Sequence, residues 1–128
     1  MVDLGGNEMK FVWITMIVSD LAKTQQFYEE FLGLSVKRTF AAGPDTQITF
    51  LGDGDTQIEL IYHGNGNKKA IGNDISLGFE VDSLDKTLKL AQKKGIEIIS
   101  GIIQPNPHMK YFYALDPNGA KIQFVESM

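Results

Sequence analysis

An α+β fold of two tandem β-α-β-β-β modules is what this sequence predicts, and three observations carry the expectation. The order of strand-like and helix-like segments in the first half recurs in the second. Val18-Ser19-Asp20-Leu21-Ala22-Lys23-Thr24 matches Val81-Asp82-Ser83-Leu84-Asp85-Lys86-Thr87 at an offset of 63, and Ile58-Glu59-Leu60 matches Ile122-Gln123-Phe124 at an offset of 64. Each half also contains a strong turn signal between its last two strands: Gly52-Asp53-Gly54-Asp55 in the first, Asp116-Pro117-Asn118-Gly119 in the second. Self-similarity at one period is the mark of an internal duplication.

The elements follow in order. Phe11 to Val18 is rich in β-branched and aromatic residues and stops at Ser19-Asp20, either of which caps a helix. Leu21, Thr24, Phe27, Tyr28 and Phe31 then recur at helical spacing as one apolar face, and Gly33 supplies a left-handed stop. Strands are predicted near Leu34 to Phe40, Thr46 to Leu51 and Thr56 to Tyr62. A polar connector, Gly64 to Lys69, leads into the second set. There a strand runs from Ile75 to Val81, and a helix capped by Ser83 or Asp85 carries Leu84, Thr87, Leu88 and Ala91 before Gly95. Strands near Ile96 to Ile99, Lys110 to Leu115 and Lys121 to Val125 complete it. Residues 1–128 therefore read as a single domain, with module one over about 9–64 and module two over about 74–126.

Composition narrows the function. Twelve basic against sixteen acidic side chains give a formal charge of −4, with no like-charged run, so neither nucleic acid nor an anionic membrane surface is an expected partner. The absence of cysteine excludes disulfides, thiolate metal sites and thiol nucleophiles. The first residues lack the basic and apolar regions of a secretory signal, and no apolar run approaches the ~20 residues that span a bilayer, so a cytoplasmic address is expected.

Strand alternation assigns the faces, because the side packed on helices must be the more apolar. Val12, Ile14, Met16 and Val18 go under the helix, leaving Trp13, Thr15 and Ile17 opposite. Ile58 and Leu60 pack, leaving Gln57, Glu59 and Ile61; Ile122 and Phe124 pack, leaving Lys121 and Gln123. Leu77, Phe79 and Val81 pack, leaving Ser76, Gly78 and Glu80. Tyr111 and Tyr113 match Gln47 and Thr49 by the repeat offset and are expected to join the second group. The resulting surface mixes rings, amides, hydroxyls and a carboxylate, which suits a small organic ligand. Candidate ligand-binding residues are Trp13, Gln57, Ser76, Tyr111, Tyr113 and Gln123, and Glu59 is the candidate catalytic residue, a carboxylate able to move a proton.

Val18-Ser19-Asp20-Leu21, Phe27-Tyr28 ahead of Leu32-Gly33-Leu34, Phe79-Glu80-Val81-Asp82 and Asp116-Pro117-Asn118-Gly119-Ala120-Lys121-Ile122 occur in the order seen in the vicinal oxygen chelate superfamily, which includes glyoxalases, bleomycin-resistance proteins and extradiol dioxygenases. The chain resembles that family from Phe11 to Glu126. The resemblance implies a curved mixed sheet around a cavity with the helices outside, and a homodimer in which one cavity can draw its modules from different chains. In the metal-dependent members, four cavity positions hold a divalent ion; they fall here on Trp13, Glu59, Ser76 and Gln123. Tryptophan cannot ligate, so no metal centre is expected, with a divalent metal as the alternative. His63 lies four strand residues, about 13 Å, from Glu59 and cannot share an ion with it. His108 stands in a loop and reads as an exposed histidine.

Three functions stay open: a metal-independent protein that binds a small molecule; a glyoxalase-type lyase or isomerase using Glu59 as base, with or without a metal; and a dimeric interaction module without a ligand.

Overall fold

The computed structural model describes residues 9–64, 71–72 and 74–128. The expected connector over Asn65–Lys69 and the first eight residues lie outside them. The first module contains β1 (Trp13–Ile17), α1 (Leu21–Gln26) continuing into a π-helical turn (Phe27–Phe31), β2 (Val36–Ala41), β3 (Gln47–Leu51) and β4 (Gln57–Tyr62). The second contains β5 (Ser76–Glu80), α2 (Leu84–Lys93), β6 (Ile103–Asn106), β7 (Met109–Leu115) and β8 (Lys121–Ser127). The strands form two four-stranded mixed sheets, ordered β1-β4-β3-β2 and β5-β8-β7-β6, rather than one continuous sheet.

Local chemistry explains the helix boundaries. The Asp20 carboxylate accepts the Lys23 amide at 3.0 Å and the Ser83 hydroxyl accepts the Lys86 amide at 3.3 Å, each satisfying a donor that the first turn leaves free. Of the four possible caps, Asp20 and Ser83 are used. Gly33 and Gly95 both take positive φ, +73° and +69°, where a Cβ would be strained.

The duplication is visible in the register. In each sheet the first strand runs parallel to the last: Thr15 sits beside Glu59, and Gly78 sits beside Gln123. Trp13 and Ser76 are therefore equivalent positions, two residues earlier on their strands. One core serves both modules. Met16, Val18, Phe27, Tyr28, Leu51 and Leu60 from the first pack in the same cluster as Leu84, Phe112, Ala114, Ile122 and Phe124 from the second. Phe31 meets Phe124 edge to face at 5.7 Å between centroids.

A buried polar network joins the modules as well. The Tyr28 hydroxyl donates to Asp116 at 2.8 Å, and the other oxygen of that carboxylate accepts the amides of Asn118 and Ala120, both at 2.8 Å. Burial first, then the adjacent Asp116 carboxylate, pushes the Tyr28 hydroxyl far above the ordinary tyrosine value, so Tyr28 stays a donor. The Asn118 side chain accepts the Ser19 amide and donates to the Thr24 hydroxyl at 2.7 Å. The Asp-Pro-Asn-Gly turn thus fastens the second module onto the N-terminal end of α1.

Three expectations need correction. The strand placed near Ile96 to Ile99 is not one: Ile98 makes a single bridge to Ala114, and the strand pairing with β7 is Ile103–Asn106. Val12 is exposed rather than packed under the helix. Thr49 is fully buried on the helix side, its hydroxyl bonded to Gln25 of α1 and to Thr39.

Candidate functional site

Each sheet has one face in the core and one open face. On the first sheet, the cross-strand row Arg38–Phe50–Glu59–Thr15 lies on the open face, with Trp13 and Gln57 paired beside it. The Thr15 hydroxyl donates to Glu59 at 2.5 Å. Trp13 is 44% exposed and meets Phe50 edge to face at 5.4 Å. Phe50, only 3% exposed, also has Phe40 near-parallel at 6.4 Å between centroids, and the Arg38 guanidinium lies 4.2 Å above its ring.

On the second sheet, Tyr113 pairs with Gln123 and Tyr111 with Val125, while Phe112 and Ala114 between them are fully buried. Both tyrosines therefore face away from the core, as expected, but not for the reason expected. The residue opposite Glu59 is Phe50, so Tyr113 corresponds to Phe50 and Tyr111 to Ile48, not to Thr49 and Gln47. The tyrosine rings meet edge to face at 5.6 Å, and the Lys121 ammonium lies 4.2 Å above Tyr113. The Gln123 amide oxygen lies beside Gly78, 3.5 Å from where a Cβ would stand, an ordinary contact distance.

Trp13, Gln57 and Glu59 thus gather on the first open face, and Ser76, Tyr111, Tyr113 and Gln123 on the second. Among the described residues, the two groups share a cavity only through one residue each. Gln57 and Ser76 both border a cavity of about 320 Å³ between the β3–β4 turn and β5, walled mainly by Ile14, Leu51, Leu77 and Phe79. Another of about 510 Å³ lies on the helix side, between α1 and the segment after α2, and a third of about 390 Å³ lies beside the β2–β3 turn. Trp13, Glu59, Tyr111, Tyr113 and Gln123 line none of the three.

Phe50, Phe40 and Arg38 were not among the expected site residues. The available signal is the Arg38-Thr39-Phe40 triplet, which on a strand puts a cation and a ring on one face.

The comparisons decide the family. The model of the glyoxalase/bleomycin resistance protein/dioxygenase superfamily matches residues 10–124. The chain belongs to this superfamily. Among solved structures, the trypanothione-dependent glyoxalase I of Leishmania major is similar with a TM-score of 0.80 and 22% identity, over 93% of this chain and 87% of that one. A glyoxalase family protein from Bacillus cereus gives 0.80 and 18% over 98% and 99%. A variant glyoxalase I from Zea mays gives 0.78 and 21% over 91% of this chain and 44% of that one. At these identities the likeness is one of fold. No curated protein sequence matches the chain.

The superfamily's metal-dependent members require a test of the donor set. Trp13 offers no lone pair, and the Glu59 carboxylate already accepts from Thr15. Ser76 offers only a neutral hydroxyl and Gln123 one amide oxygen, both from the other sheet. Among the described residues, no three His, Cys, Asp or Glu side chains come together. His63 and His108 are both exposed, His63 just past the end of β4 and His108 in the β6–β7 turn. These side chains do not fit a divalent ion.

Proposed function

We propose that this superfamily member binds a small organic molecule on the open faces of its sheets and does so without a metal centre. The observation carrying this reading is the content of the two faces: each has an aromatic pair and a hydrogen-bonding side chain, Trp13–Phe50 with Glu59 and Tyr111–Tyr113 with Gln123, with Phe50 and Tyr113 at equivalent places. Aromatic rings with a few oriented polar groups are what small-molecule sites are made of. A homodimer completes the proposal. Trp13, Ile17, Phe40 and Ile103 are large exposed apolar residues, and β1 and β5 each stand at the edge of a sheet, so a second copy can close the open face of one module with the other module.

A second reading is a lyase or isomerase in which Glu59 abstracts a proton next to a carbonyl. What favours it is the carboxylate itself: one Glu59 oxygen takes the Thr15 hydroxyl, and among the described residues the other has no hydrogen-bond donor, leaving it free to take a proton.

The experiment is a measurement of metal content with a binding control. Untagged protein purified without chelator is expected to contain well under one equivalent of zinc, nickel, iron or manganese. Trp13 emission should respond to a panel of small aromatic acids, amides and amines equally before and after dialysis against a chelator. Stoichiometric metal, with a melting temperature that falls on chelation, would contradict metal independence and favour the metal-dependent form of the lyase reading.

A further inference from the structure

The Arg38 guanidinium stacks 4.2 Å above Phe50 and 5.8 Å from the Phe40 ring, and the Lys121 ammonium stacks 4.2 Å above Tyr113. Phe50 and Tyr113 hold the same place in their modules, opposite Glu59 and Gln123. The cations reach them differently. Arg38 comes from β2, across a strand pair, whereas Lys121 is on β8, two residues before Gln123. A simple duplication does not produce this coincidence, because the residue that repeats Lys121 in the first module is Gln57.

Among the described residues neither cation has an ion-pair partner. Among the described residues, the ion pairs are Lys37 with Asp53 and Lys110 with Asp85, both away from these faces. The two carboxylates that share the open faces are engaged otherwise, Glu59 by the Thr15 hydroxyl and Glu80 by the Ser127 hydroxyl at 3.0 Å. Glu59 also sits two strands from Arg38 in its row, a separation of about 10 Å, too far for direct pairing of their backbone positions. Arg38 is exposed; the Phe40 ring beside it is 41% exposed, and Trp13, on the other flank of Phe50, is 44% exposed. A guanidinium whose plane rests on a ring keeps its N–H edges free for a planar acid group.

Resting on the binding function proposed above, we infer that the ligand is an aromatic or conjugated carboxylate, with Arg38 as the residue that recognises its acid group and Lys121 as the corresponding cation of the second module. The acid group takes the N–H edge of Arg38 while the ring lies against Trp13 or Phe40. Glu59 repels the acid from the other end of the row and so fixes which way round the ligand lies. A cation held on a ring for stability alone would serve the fold equally well with any ligand or none, and this difference is what a test must read.

The probes are 2-naphthoate and its uncharged isostere 2-naphthamide, titrated calorimetrically. The expected result is at least about tenfold tighter binding of the acid than of the amide, the size of one charge-assisted hydrogen bond. Arg38→Met should erase most of that preference by weakening binding of the acid far more than of the amide, and Arg38→Lys should keep part of it. Lys121→Met should reduce the preference that remains. Equal affinity for acid and amide in the unmutated protein overturns the inference and leaves the binding function standing. A preference that survives Arg38→Met overturns the assignment to Arg38. Failure of both probes to bind contradicts the inference and the proposed binding function together.

Discussion

Phe124→Ala is expected to lower the free energy of unfolding by about 3–5 kcal/mol, the range for removing a large aromatic from a close-packed core. Phe124 is fully buried and touches both modules: Phe112 at 5.2 Å on its own sheet and Phe31 at 5.7 Å from the turn that ends α1. Neither neighbour can collapse into the space without withdrawing from its own partners. Phe31 itself is only partly buried, so Phe31→Ala should cost less than Phe124→Ala. Urea denaturation reads both. If the two modules share one core, the transition remains single, and its midpoint falls without a change of slope. A loss below about 1 kcal/mol for Phe124→Ala would mean that the modules are not held together there.

Asp116→Ala is expected to cost at least about 3 kcal/mol, although it removes only a small side chain. The change leaves three donors unsatisfied in the interior: the Tyr28 hydroxyl and the amides of Asn118 and Ala120. Each buried donor without an acceptor costs about 1–3 kcal/mol, partly relieved by local relaxation. Tyr28→Phe removes a single donor and keeps the ring in the core, so its cost should be nearer 1 kcal/mol. The double substitution separates the two contributions. Because Tyr28 and Asp116 touch, their effects should not add, and a coupling energy near zero would contradict the hydrogen bond between the modules.

Much of this fold is legible in the sequence because its elements announce themselves locally. Asp20 and Ser83 cap helices for reasons contained within four residues, and the strands around Ile14, Ile58, Leu77 and Ile122 alternate in burial over most of their length. The failures have physical causes of another kind. Ile96 to Ile99 has the composition of a strand, yet its backbone makes only one bridge beside β7; Ile103–Asn106 contains Pro105 and becomes the strand because it lies at a sheet edge, where a missing donor is tolerated. Thr49 reads as polar and open-facing, but Gln25 and Thr39 satisfy its hydroxyl on the helix side. β3 offers no warning, since Ile48, Phe50 and Leu51 are apolar on both parities.

The open faces were legible by alternation for Trp13, Gln57, Glu59, Ser76 and Gln123; Tyr111 and Tyr113 were placed by a repeat offset one residue out, which reached the right face only because Thr49 turns to the helix side. What alternation cannot give is a distance between sheets, and so the sequence could place these side chains on faces but not bring them into one pocket. The Tyr28–Asp116 bond spans 88 residues and had no local signature beyond a turn motif whose residues all have turn-forming explanations of their own.

Whether a small molecule binds on the open faces, as proposed, or in the cavity on the helix side is read directly by side-chain N–H resonances. Trp13 is the only tryptophan, so its indole N–H gives one peak, and the Gln57 and Gln123 amides report the two open faces. The Gln26 amide reports the cavity of about 510 Å³ between α1 and the segment after α2. On titration with 2-naphthoate, the peaks of Trp13, Gln57 and Gln123 are predicted to move together with one dissociation constant while that of Gln26 stays fixed. Movement of Gln26 with Trp13 and Gln123 unchanged would contradict the proposal and put the ligand on the other side of the sheets.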